Sequence, residues 1–456
     1  MAQRKIDVVL DSVKRLLRLG ATANLVNLLQ KQHPADLAQV FSELSDRNRE
    51  SAFTLLLERN SKLAMEALSE LGPEAGAALL AGRSAEDVAG YLQELPSDDA
   101  AAIIEHLPQD LSAAVLELIE TRPGDEVGDL FEYAEQTAGR IMNPKVFALS
   151  EDMTVSEAIA ALQGSRDVEM VFYLYVVDSR RHLVGVVSLR RLLLVPPATP
   201  LKRIMTTDII SVRADMDQEE VARQVASYNL LAIPVVDEEN KLVGIITVDD
   251  VIDVIKDEAT EDIYRLAGVS TDERVFSPAR ESLGKRFPWL LINLVTAFIA
   301  TGVIALFDGT LIAWAALVKF MPIVPGMGGN AATQTLTVIV RGLALGELTW
   351  ANSRRALLKE VLVGAGNGMA TGLVAGLATW ALAGQPWIGA LLFGAMIINL
   401  FVAGAAGTLI PLGLKAMKVD PALASTVFIT TFTDVCGFAS FLGLAAAYLR
   451  ITGHPG

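Results

Sequence analysis

Residues 426–449 have the sequence TVFITTFTDVCGFASFLGLAAAYL, a long apolar run that contains a single carboxylate, Asp434. An α-helix needs about 20 mostly apolar residues to cross a bilayer, and this run is long enough. A charged side chain at the bilayer centre costs about 3 kcal/mol even on the mildest scales, so it is found where it faces protein or water. The stretch therefore predicts a membrane-spanning helix in which Asp434 has a function.

The charge of the chain is divided between its two parts. Residues 284–456 hold 10 Lys and Arg against 5 Asp and Glu, whereas residues 1–283 hold 28 against 48. The front part therefore has a net charge of −20 and the back part a net charge of +5. A strongly acidic part argues against nucleic acid or an anionic lipid surface as its partner and favours a cation.

Residues 1–132 show a helical pattern with short breaks marked by proline. Segments such as HPADLAQVFSEL, SAEDVAGYLQELP and SDDAAAIIEHLP have an acidic residue near the start and an apolar stripe that ends in Leu or Ile. This pattern predicts short helices that are capped at their N-termini. Their recurrence at helix-hairpin spacing predicts an acidic, all-α superhelical domain, and a plain helical bundle is the alternative.

The next region contains an internal repeat. IMNPKVFALSEDMTVSEAIAAL from Ile141 matches IMTTDIISVRADMDQEEVARQV from Ile204, and YVVDSRRHLVGVVSLRRLLLV from Tyr175 matches PVVDEENKLVGIITVDDVIDV from Pro234. Each copy predicts a strand, a helix, a strand, a turn, a strand and a helix. The repeat resembles a tandem pair of α/β CBS domains at 138–199 and 200–256, which implies a ligand-responsive module.

The CBS resemblance also implies a candidate nucleotide site. In adenosine-binding CBS repeats, a Thr or Ser on the last strand and an Asp three residues later bind phosphate and ribose. Thr247 and Asp250 have this spacing in the second copy, whereas the first copy offers Ser188 and Arg191. ATP is therefore a candidate regulatory ligand, with a simple helix cap as the alternative role for Asp250.

The segment VDDVIDVIKDEATEDIYRL (248–266) predicts an acidic helix. Its carboxylates at 250, 253, 257 and 261 fall on one face and repel one another. Most faces of this kind are simply solvated, but this helix continues through a connecting segment (257–283) towards a membrane entry at Lys285 and Arg286. Mg²⁺, which prefers oxygen ligands and keeps much of its water, would offset the repulsion.

Five apolar stretches follow and predict a membrane domain of five transmembrane helices over 284–456. They cover 287–306, 311–341, 355–382, 387–414 and 421–449. Lys and Arg lie in alternate connections, so the positive-inside rule places the soluble front part in the cytoplasm and the C-terminus outside. A four-residue glycine repeat in the third stretch predicts close helix packing. The repeat consists of Gly364, Gly368, Gly372 and Gly376.

The second stretch contains Lys319 and is interrupted by MPIVPGMGGNAATQTL (321–336). Its prolines and glycines predict unwound backbone followed by a half-helix from Asn330. Such backbone is tolerated at membrane depth only inside protein or along a wet cavity. Asp434, roughly 20 Å along its helix from Pro421, also reaches mid-membrane. Together they predict a hydrated cation pathway. The candidate pore residues are Asp434, Asn330, Thr430, Thr426, Gly328, Gly329 and Gln334.

The order of these parts, with the motifs PGMGGNAATQTLTVIVRGLALGEL and DPALASTVFITTFTDVCGF, resembles the MgtE family of bacterial magnesium channels/transporters over nearly the whole chain. The resemblance implies an inner-membrane homodimer with its pore between the second and fifth spans, Asp434 as the pore aspartate, EATEDI as a plug helix, and closure by cytosolic Mg²⁺. The implied regulatory residues are Asp250, Asp253, Glu258, Glu261 and Asp262, with Asp249, Asp257, Asp98 and Asp99 as further candidates.

The leading interpretation is thus a magnesium-selective channel for Mg²⁺ uptake that cytosolic Mg²⁺ closes. The alternatives are a carrier that couples Mg²⁺ to Na⁺ or H⁺, a transporter of broader range that includes Co²⁺ and Mn²⁺, and a CBS-controlled membrane sensor without transport. An enzyme is the weakest class, because the sequence contains no GxxxxGK[ST], HExxH or GxSxG motif.

Overall fold

The computed structural model describes residues 2–120, 127–165, 173–271, 273, 275, 277–423 and 426–452. The chain divides into two compact units, Met1–Ile255 and Lys256–Gly456. The boundary between them falls within a single helix, Val248–Leu266, which contributes residues to both units.

The first unit begins with a series of short helices, as the sequence predicts. Proline sets two of the helix starts, because its missing N–H would have no intrahelical acceptor there: Pro34 and Pro73 each lie in the first turn. At another start, Ser84 accepts a hydrogen bond from the Asp87 backbone N–H at 3.2 Å. The helices are α1 (Ala2–Leu19), α2 (Thr22–Leu29), α3 (Pro34–Ser42), α4 (Asp46–Leu57), α5 (Ser61–Leu71), α6 (Pro73–Leu80), α7 (Ala85–Leu92), α8 (Ser97–His106), α9 (Gln109–Glu120), α10 (Val127–Leu130) and α11 (Ala138–Ile141).

Two three-stranded sheets follow, and their matching topology confirms the predicted CBS pair. In each sheet the first strand runs parallel to the second, and the second runs antiparallel to the third. The register shifts between Val176 and Val177 in one sheet and between Val235 and Val236 in the other, which are equivalent positions of the repeat. The elements are β1 (Ala148–Ser150), α12 (Val155–Gly164), β2 (Tyr173–Val177), β3 (Leu183–Ser188), α13 (Leu189–Leu194), a 3₁₀ turn (Leu201–Arg203), β4 (Val212–Arg213), α14 (Gln218–Tyr228), β5 (Ala232–Val236), β6 (Leu242–Thr247) and α15 (Val248–Leu266).

The second CBS copy packs against the helical domain. One hydrophobic core includes Phe53 of α4 and continues into the second copy, where it includes Ile246 of β6 and Val251 of α15. The first copy is joined to the second by backbone hydrogen bonds, since Asn143 N–H donates to Ile245 O at 2.7 Å and Ile245 N–H donates back at 3.0 Å. This packing fixes the acidic start of α15 beside the helical domain.

The second unit is a bundle of long helices, which confirms the predicted helical membrane domain. Within the described residues, α16, α19, α20 and α21 are long and apolar enough to cross a membrane. α18 has 22 residues and packs among them, so the count of five spans stays a prediction. The elements are α16 (Ala279–Ala305), α17 (Asp308–Ala313), a 3₁₀ turn (Ala315–Lys319), α18 (Ile323–Ala344), α19 (Ser353–Ala383), α20 (Pro386–Ala416), a 3₁₀ turn (Pro421–Leu423) and α21 (Thr426–Thr452).

The predicted break in the second stretch is misplaced. The chain is irregular before Pro322, and α18 then runs without interruption from Ile323 to Ala344. Pro325 is the third residue of this helix, where a backbone N–H would have no intrahelical acceptor, so the proline costs no hydrogen bond. The prediction of unwound backbone at the glycines and of a half-helix starting at Asn330 is therefore wrong. Lys319 ends the preceding 3₁₀ turn and is exposed.

The predicted glycine packing is confirmed between α19 and α20. A Cβ added to Gly364 would lie 2.3 Å from the Leu400 carbonyl oxygen, and one added to Gly368 would lie 2.8 Å from Ile397 Cα. These distances are too short for any side chain, so the two backbones touch along the glycine face.

Candidate functional site

The candidate pore residues lie where α18 crosses α21, and small residues bring the two helices together there. A Cβ on Gly329 would lie 3.3 Å from Thr430 Cγ2, and a Cβ on Gly437 would lie 3.0 Å from Pro325 Cα. The structure therefore places the PGMGGN segment beside the helix that holds Asp434. Gly328 is turned towards a third helix, α20, where its Cβ would clash with Asn399.

Asp434 is half-buried on α21, one turn from Thr430 and Gly437. Over the ranges that the structure describes, no hydrogen-bond donor or basic side chain contacts its carboxylate. The described part of the α-helix starts at Thr426, about 12 Å along the helix axis from Asp434. A carboxylate at this depth needs water or a cation as its partner.

A polar stripe follows the exposed face of α18. We define it as Asn330, Gln334 and Thr337, which are spaced four and three residues apart and are all exposed within one chain. Thr337 donates to the Thr333 carbonyl oxygen of its own helix at 2.9 Å. The Asn330 and Gln334 amides make no side-chain hydrogen bond to the described residues. Lipid offers no partner for such amides, so this face requires water or another protein surface.

The structure thus brings most of the predicted pore residues together. Asp434, Thr430, Gly329 and Asn330 lie at or beside the α18–α21 contact, and Gln334 continues the stripe one turn further along α18. Thr430 donates to the Val427 carbonyl oxygen at 3.2 Å. The side chain of Thr426 lies outside the described residues.

Glu360 and Asn399 are buried polar residues of the bundle that the sequence motifs do not include. Glu360 on α19 is 4% exposed, accepts a hydrogen bond from Thr335 Oγ1 at 3.0 Å, and forms an ion pair with Lys359. Asn399 on α20 is fully buried. Asn399 is a lone amide within an apolar stretch of α20, which indicates burial in protein but does not identify the partner, whereas Glu360 directly follows Lys359 near the basic start of α19 and gives no such signal.

In the first unit, the predicted regulatory carboxylates Asp99, Asp249, Asp250 and Asp253 come close together. Burial raises the pKa of Asp99, a hydrogen bond from Ser69 opposes this, and the charges of Asp249 and Asp253 raise it further. Burial also raises the pKa of Asp250 to about 7, against the hydrogen bonds from Thr247, with added repulsion from Asp249 and Asp99. The four side chains therefore form an acidic cluster that disfavours its own full ionisation.

Asp98 and the two nucleotide candidates have local partners in the first unit. Asp98 Oδ1 accepts a hydrogen bond from the Asp99 backbone N–H at 3.1 Å in the first turn of α8. Thr247 donates to Asp250 through its hydroxyl and through its backbone N–H, the latter at 3.2 Å. This pair caps the start of α15, which fits the alternative role of Asp250. Nucleotide binding there remains a prediction.

The remaining regulatory candidates lie on the part of α15 that belongs to the second unit. Arg265 forms ion pairs with Glu261 of the same helix and with Asp420, which lies just before α21. This ion-pair bridge ties the end of α15 to the start of the helix that holds Asp434. The other candidates on this segment are Asp257, Glu258 and Asp262.

No group of three or more His, Cys, Asp or Glu side chains is arranged to hold a metal ion in the parts of the chain that the structure describes. Carboxylates that bind a hydrated Mg²⁺ need not form so tight a group, because this ion usually keeps several of its waters.

Three family models match this chain, within residues 32–257 and 321–444. The family model described as a divalent cation transporter (MgtE) covers residues 321–444, the MgtE intracellular N domain covers 32–136, and the CBS domain covers 138–197 and 201–257. A solved structure described as the cytosolic domain of the Mg²⁺ channel MgtE in complex with ATP is 39% identical, with a TM-score of 0.50. The match covers 54% of this chain and 99% of that one.

Curated relatives match a larger share of the chain than this solved structure does. The magnesium transporter MgtE of Thermus thermophilus is 38% identical over 337 residues, which are 73% of this chain and 74% of the relative. The magnesium transporter MgtE of Enterococcus faecalis is 36% identical over 71% of this chain and 72% of its own length. With its helical domain, its CBS pair and its membrane bundle all matched, the chain belongs to the MgtE family of divalent cation transporters.

Proposed function

We propose that this chain is a magnesium-selective channel for Mg²⁺ uptake, with its pathway along Asp434 and the polar stripe of α18. The observation that carries the proposal is the Asp434 carboxylate, which lies within a membrane helix without a donor or counter-ion from the described chain. A passing divalent cation would supply the missing positive charge. The curated relatives that cover most of the chain are magnesium transporters.

The composition of the site favours a hydrated ion. Mg²⁺ gives up its water reluctantly and is held by few direct protein ligands. Asp434 supplies a single charge, and the amides of Asn330 and Gln334 supply neutral donors and acceptors for the water around the ion. The positive end of α18 lies at Ile323, almost two turns before Asn330, so the helix dipole opposes the cation less than a helix starting at Asn330 would.

A second copy of the chain would complete the pathway. The polar stripe is exposed in one chain, and contact with lipid would leave its amides without partners. Pairing two such faces about a two-fold axis would enclose a wet space with two Asp434 carboxylates. The proposed functional unit is therefore a homodimer in the bacterial inner membrane, with the soluble part in the cytoplasm and the C-terminus outside.

Cytosolic Mg²⁺ would close this channel through the carboxylates of the soluble part. In the absence of a cation the acidic cluster repels itself, and bound Mg²⁺ would favour its compact arrangement. On α15 the candidates are Glu258, Glu261 and Asp262 with Asp257, and the ion-pair bridge of Arg265 offers a route from this helix to α21. ATP at Thr247 and Asp250 would adjust this response.

The test is Mg²⁺ flux into liposomes that contain the purified protein. Asp434→Asn keeps the shape of the side chain and removes its charge, so we expect the flux to fall at least about tenfold. Asp308→Asn is the matched control, because Asp308 is an exposed carboxylate at the start of α17, and we expect it to transport normally.

Single-channel recording separates a channel from a coupled carrier. Unitary current steps carried by Mg²⁺ support the channel, whereas flux without unitary steps that depends on a Na⁺ or H⁺ gradient supports a carrier. Wild-type flux in Asp434→Asn would overturn the proposed pathway.

A further inference from the structure

Arg341 continues the exposed face of α18 beyond the polar stripe. It follows Thr337 by four residues, so the positions 330, 334, 337 and 341 are spaced four, three and four residues apart. Residues spaced in this way lie on one face of a helix. Arg341 is exposed, as are the three residues of the stripe. A face that first offers neutral polar groups therefore ends in a positive charge.

The charge of Arg341 lies well away from Asp434. Thr430 is one turn from Asp434 on α21 and lies beside Gly329 of α18, where an added Cβ would be 3.3 Å from Thr430 Cγ2. Arg341 follows Gly329 by 12 residues, which is about 18 Å along the helix at 1.5 Å per residue. The carboxylate and the guanidinium therefore belong to different levels of the bundle.

Arg341 lies at the end of α18 that α15 meets. It is in the last turn of α18, which ends at Ala344. Leu266, the last residue of α15, packs against the cluster that includes Val340, the neighbour of Arg341. Because α15 leads out of the second CBS copy, the proposed topology places this end of the pathway in the cytoplasm.

No acid balances the charge of Arg341 in the described chain. Its guanidinium makes neither an ion pair nor a side-chain hydrogen bond there. Glu347 follows in the turn after α18 and is exposed, but it does not pair with Arg341 among the described residues. Arg265 shows the contrast, since it forms ion pairs with Glu261 and Asp420. The charge of Arg341 therefore acts on the water and the ions around it.

Arg355 provides a comparison for the ordinary role of a basic residue on this side of the membrane. Basic residues collect at the cytoplasmic ends of membrane helices, and an arginine in the last turn of a helix also suits the helix dipole. Arg355 is an exposed arginine near the start of α19, a helix that carries none of the candidate pore residues. Arg341 differs from it because it shares the face of the polar stripe.

We propose that Arg341 places a positive charge at the cytosolic mouth of the ion pathway and thereby limits the outflow of Mg²⁺. The inference rests on the proposed function, in which the polar stripe lines the pathway and a second copy brings a second Arg341 to the same mouth. A positive charge lowers the concentration of cations beside it, and a divalent cation is repelled twice as strongly as a monovalent one. Ions that enter from the cytosol start in this depleted zone.

Entry from the outside is not limited in this way. Lys319, at the other end of α18, lies in the 3₁₀ turn before the helix and not on the stripe. Ions from that side reach the level of Asp434 before they reach Arg341. The inward current of the open channel is therefore larger than the outward current, which suits a channel for uptake.

The experiment records unitary Mg²⁺ currents in inside-out patches from bacterial spheroplasts that express the full chain, with equal Mg²⁺ on both sides. Spheroplasts without the protein give the background. The quantity measured is the ratio of inward to outward current at equal and opposite voltages, which does not depend on how often cytosolic Mg²⁺ closes the channel. We expect Arg341→Gln to lower this ratio about fivefold, the equivalent of about 1 kcal/mol. Added monovalent salt should lower the wild-type ratio by screening the charge.

Two further variants test whether charge and position both matter. Arg341→Lys keeps the charge, so its ratio should match that of the wild type. Arg355→Gln removes an equal charge from the same side of the membrane but away from the stripe, and its ratio should match as well. Should Arg341→Gln give no openings, Arg341→Ala takes its place with the same expectation.

The inference is overturned if Arg341→Gln keeps the wild-type ratio, if Arg341→Lys loses it, or if Arg355→Gln lowers it as much. A change in open probability alone would assign Arg341 to closure of the channel and would equally contradict the inference. A failure of the proposed function is seen separately. Absence of unitary Mg²⁺ currents in the wild type, or normal currents in Asp434→Asn, overturns that function and this inference with it.

Discussion

Asp434 and Glu360 are both carboxylates on helices of the second unit, but their surroundings differ. Glu360 is nearly fully buried and receives a hydrogen bond from Thr335 together with an ion pair from Lys359. Its charge is therefore balanced within the chain. Asp434 is half-buried and has no such partner among the described residues, so its charge is available to an ion. Partners, rather than residue type, separate the acid that is balanced within the chain from the acid that we propose to serve the ion.

Sequence alone could identify Asp434 but not Glu360 or Asn399. Asp434 is conspicuous as the single carboxylate of an apolar run. Glu360 follows Lys359 within a stretch rich in basic residues, and its contact with Thr335 joins residues 25 positions apart. Asn399 depends on glycines of two other helices. Such contacts are set by helix packing, which no local pattern specifies.

Asp250 gives the first unit a predicted dependence on pH. Its pKa is raised to about 7 in the folded chain from an ordinary value of 3.8, so the folded state binds its proton more tightly than the unfolded state does. The proton on Asp250 therefore stabilises the folded state. This stabilisation is complete below pH 4 and is lost as the pH rises through about 7. In the full chain without divalent ions, we expect the Asp250→Asn variant not to show this fall in the free energy of unfolding with rising pH.

Hydrogen exchange of the α8 and α15 amides, followed from pH 5 to pH 8 in a chelator, checks the expectation. Protection in the wild type should fall with pH more steeply than in Asp250→Asn. Asp7→Asn serves as the control, since Asp7 is an exposed carboxylate of α1. If amide protection fell equally steeply with pH in the wild type and in Asp250→Asn, the charge of Asp250 would not destabilise the folded chain.

Among the elements, α18 shows how position changes the effect of a residue. Prolines and glycines within an apolar stretch predict a break in general, yet α18 is continuous because Pro325 falls in its first turn. Its glycines serve contacts with Thr430 and Asn399 instead of unwinding. The strands and helices of the CBS repeat were easier to predict, since two copies of one pattern constrain each other.

The contact between α19 and α20 is the element-scale feature that a single substitution tests best. Gly368→Val would place a Cβ 2.8 Å from Ile397 Cα, and backbone atoms cannot move aside as a flexible side chain can. We expect a loss of about 1–3 kcal/mol, with a clearly lower melting temperature in detergent. Gly366 lies on the same helix, and a Cβ added there would have nothing within 4 Å. We therefore expect the Gly366→Val variant to have a melting temperature close to that of the wild type. Similar melting of the two variants would contradict the packing.

At the scale of the whole molecule, an acidic part of the chain precedes a membrane bundle in which the half-buried Asp434 carboxylate has no partner among the described residues. The sequence predicted this division from charge and hydropathy, and the matched family domains agree with it. The ion-pair bridge could not be predicted, because Arg265 and Asp420 are 155 residues apart. It is one contact between the end of α15 and the segment before α21, beside the packing of Leu266 against the cluster that contains Ile429.

Removing this bridge should weaken closure of the proposed channel by cytosolic Mg²⁺. Arg265→Gln releases Asp420 from α15, so we expect closure to need about fivefold more cytosolic Mg²⁺, the equivalent of about 1 kcal/mol. The measurement is the open probability of the reconstituted channel at increasing Mg²⁺ on the cytosolic side. Arg280→Gln is the control, since Arg280 is an exposed arginine near the start of α16. An unchanged or lower closing concentration would argue against coupling through Arg265.

The most direct test of the central claim asks whether position 434 faces a water-filled path for cations. Asp434→Cys in a Cys436→Ala background gives the chain one cysteine, and Phe432→Cys in the same background gives a matched site on the exposed face of α21. We predict that a water-soluble, positively charged thiol reagent modifies position 434 but not 432, and that Mg²⁺ slows the reaction at 434. Modification of 434 only by a lipid-soluble reagent, with no effect of Mg²⁺, would contradict it.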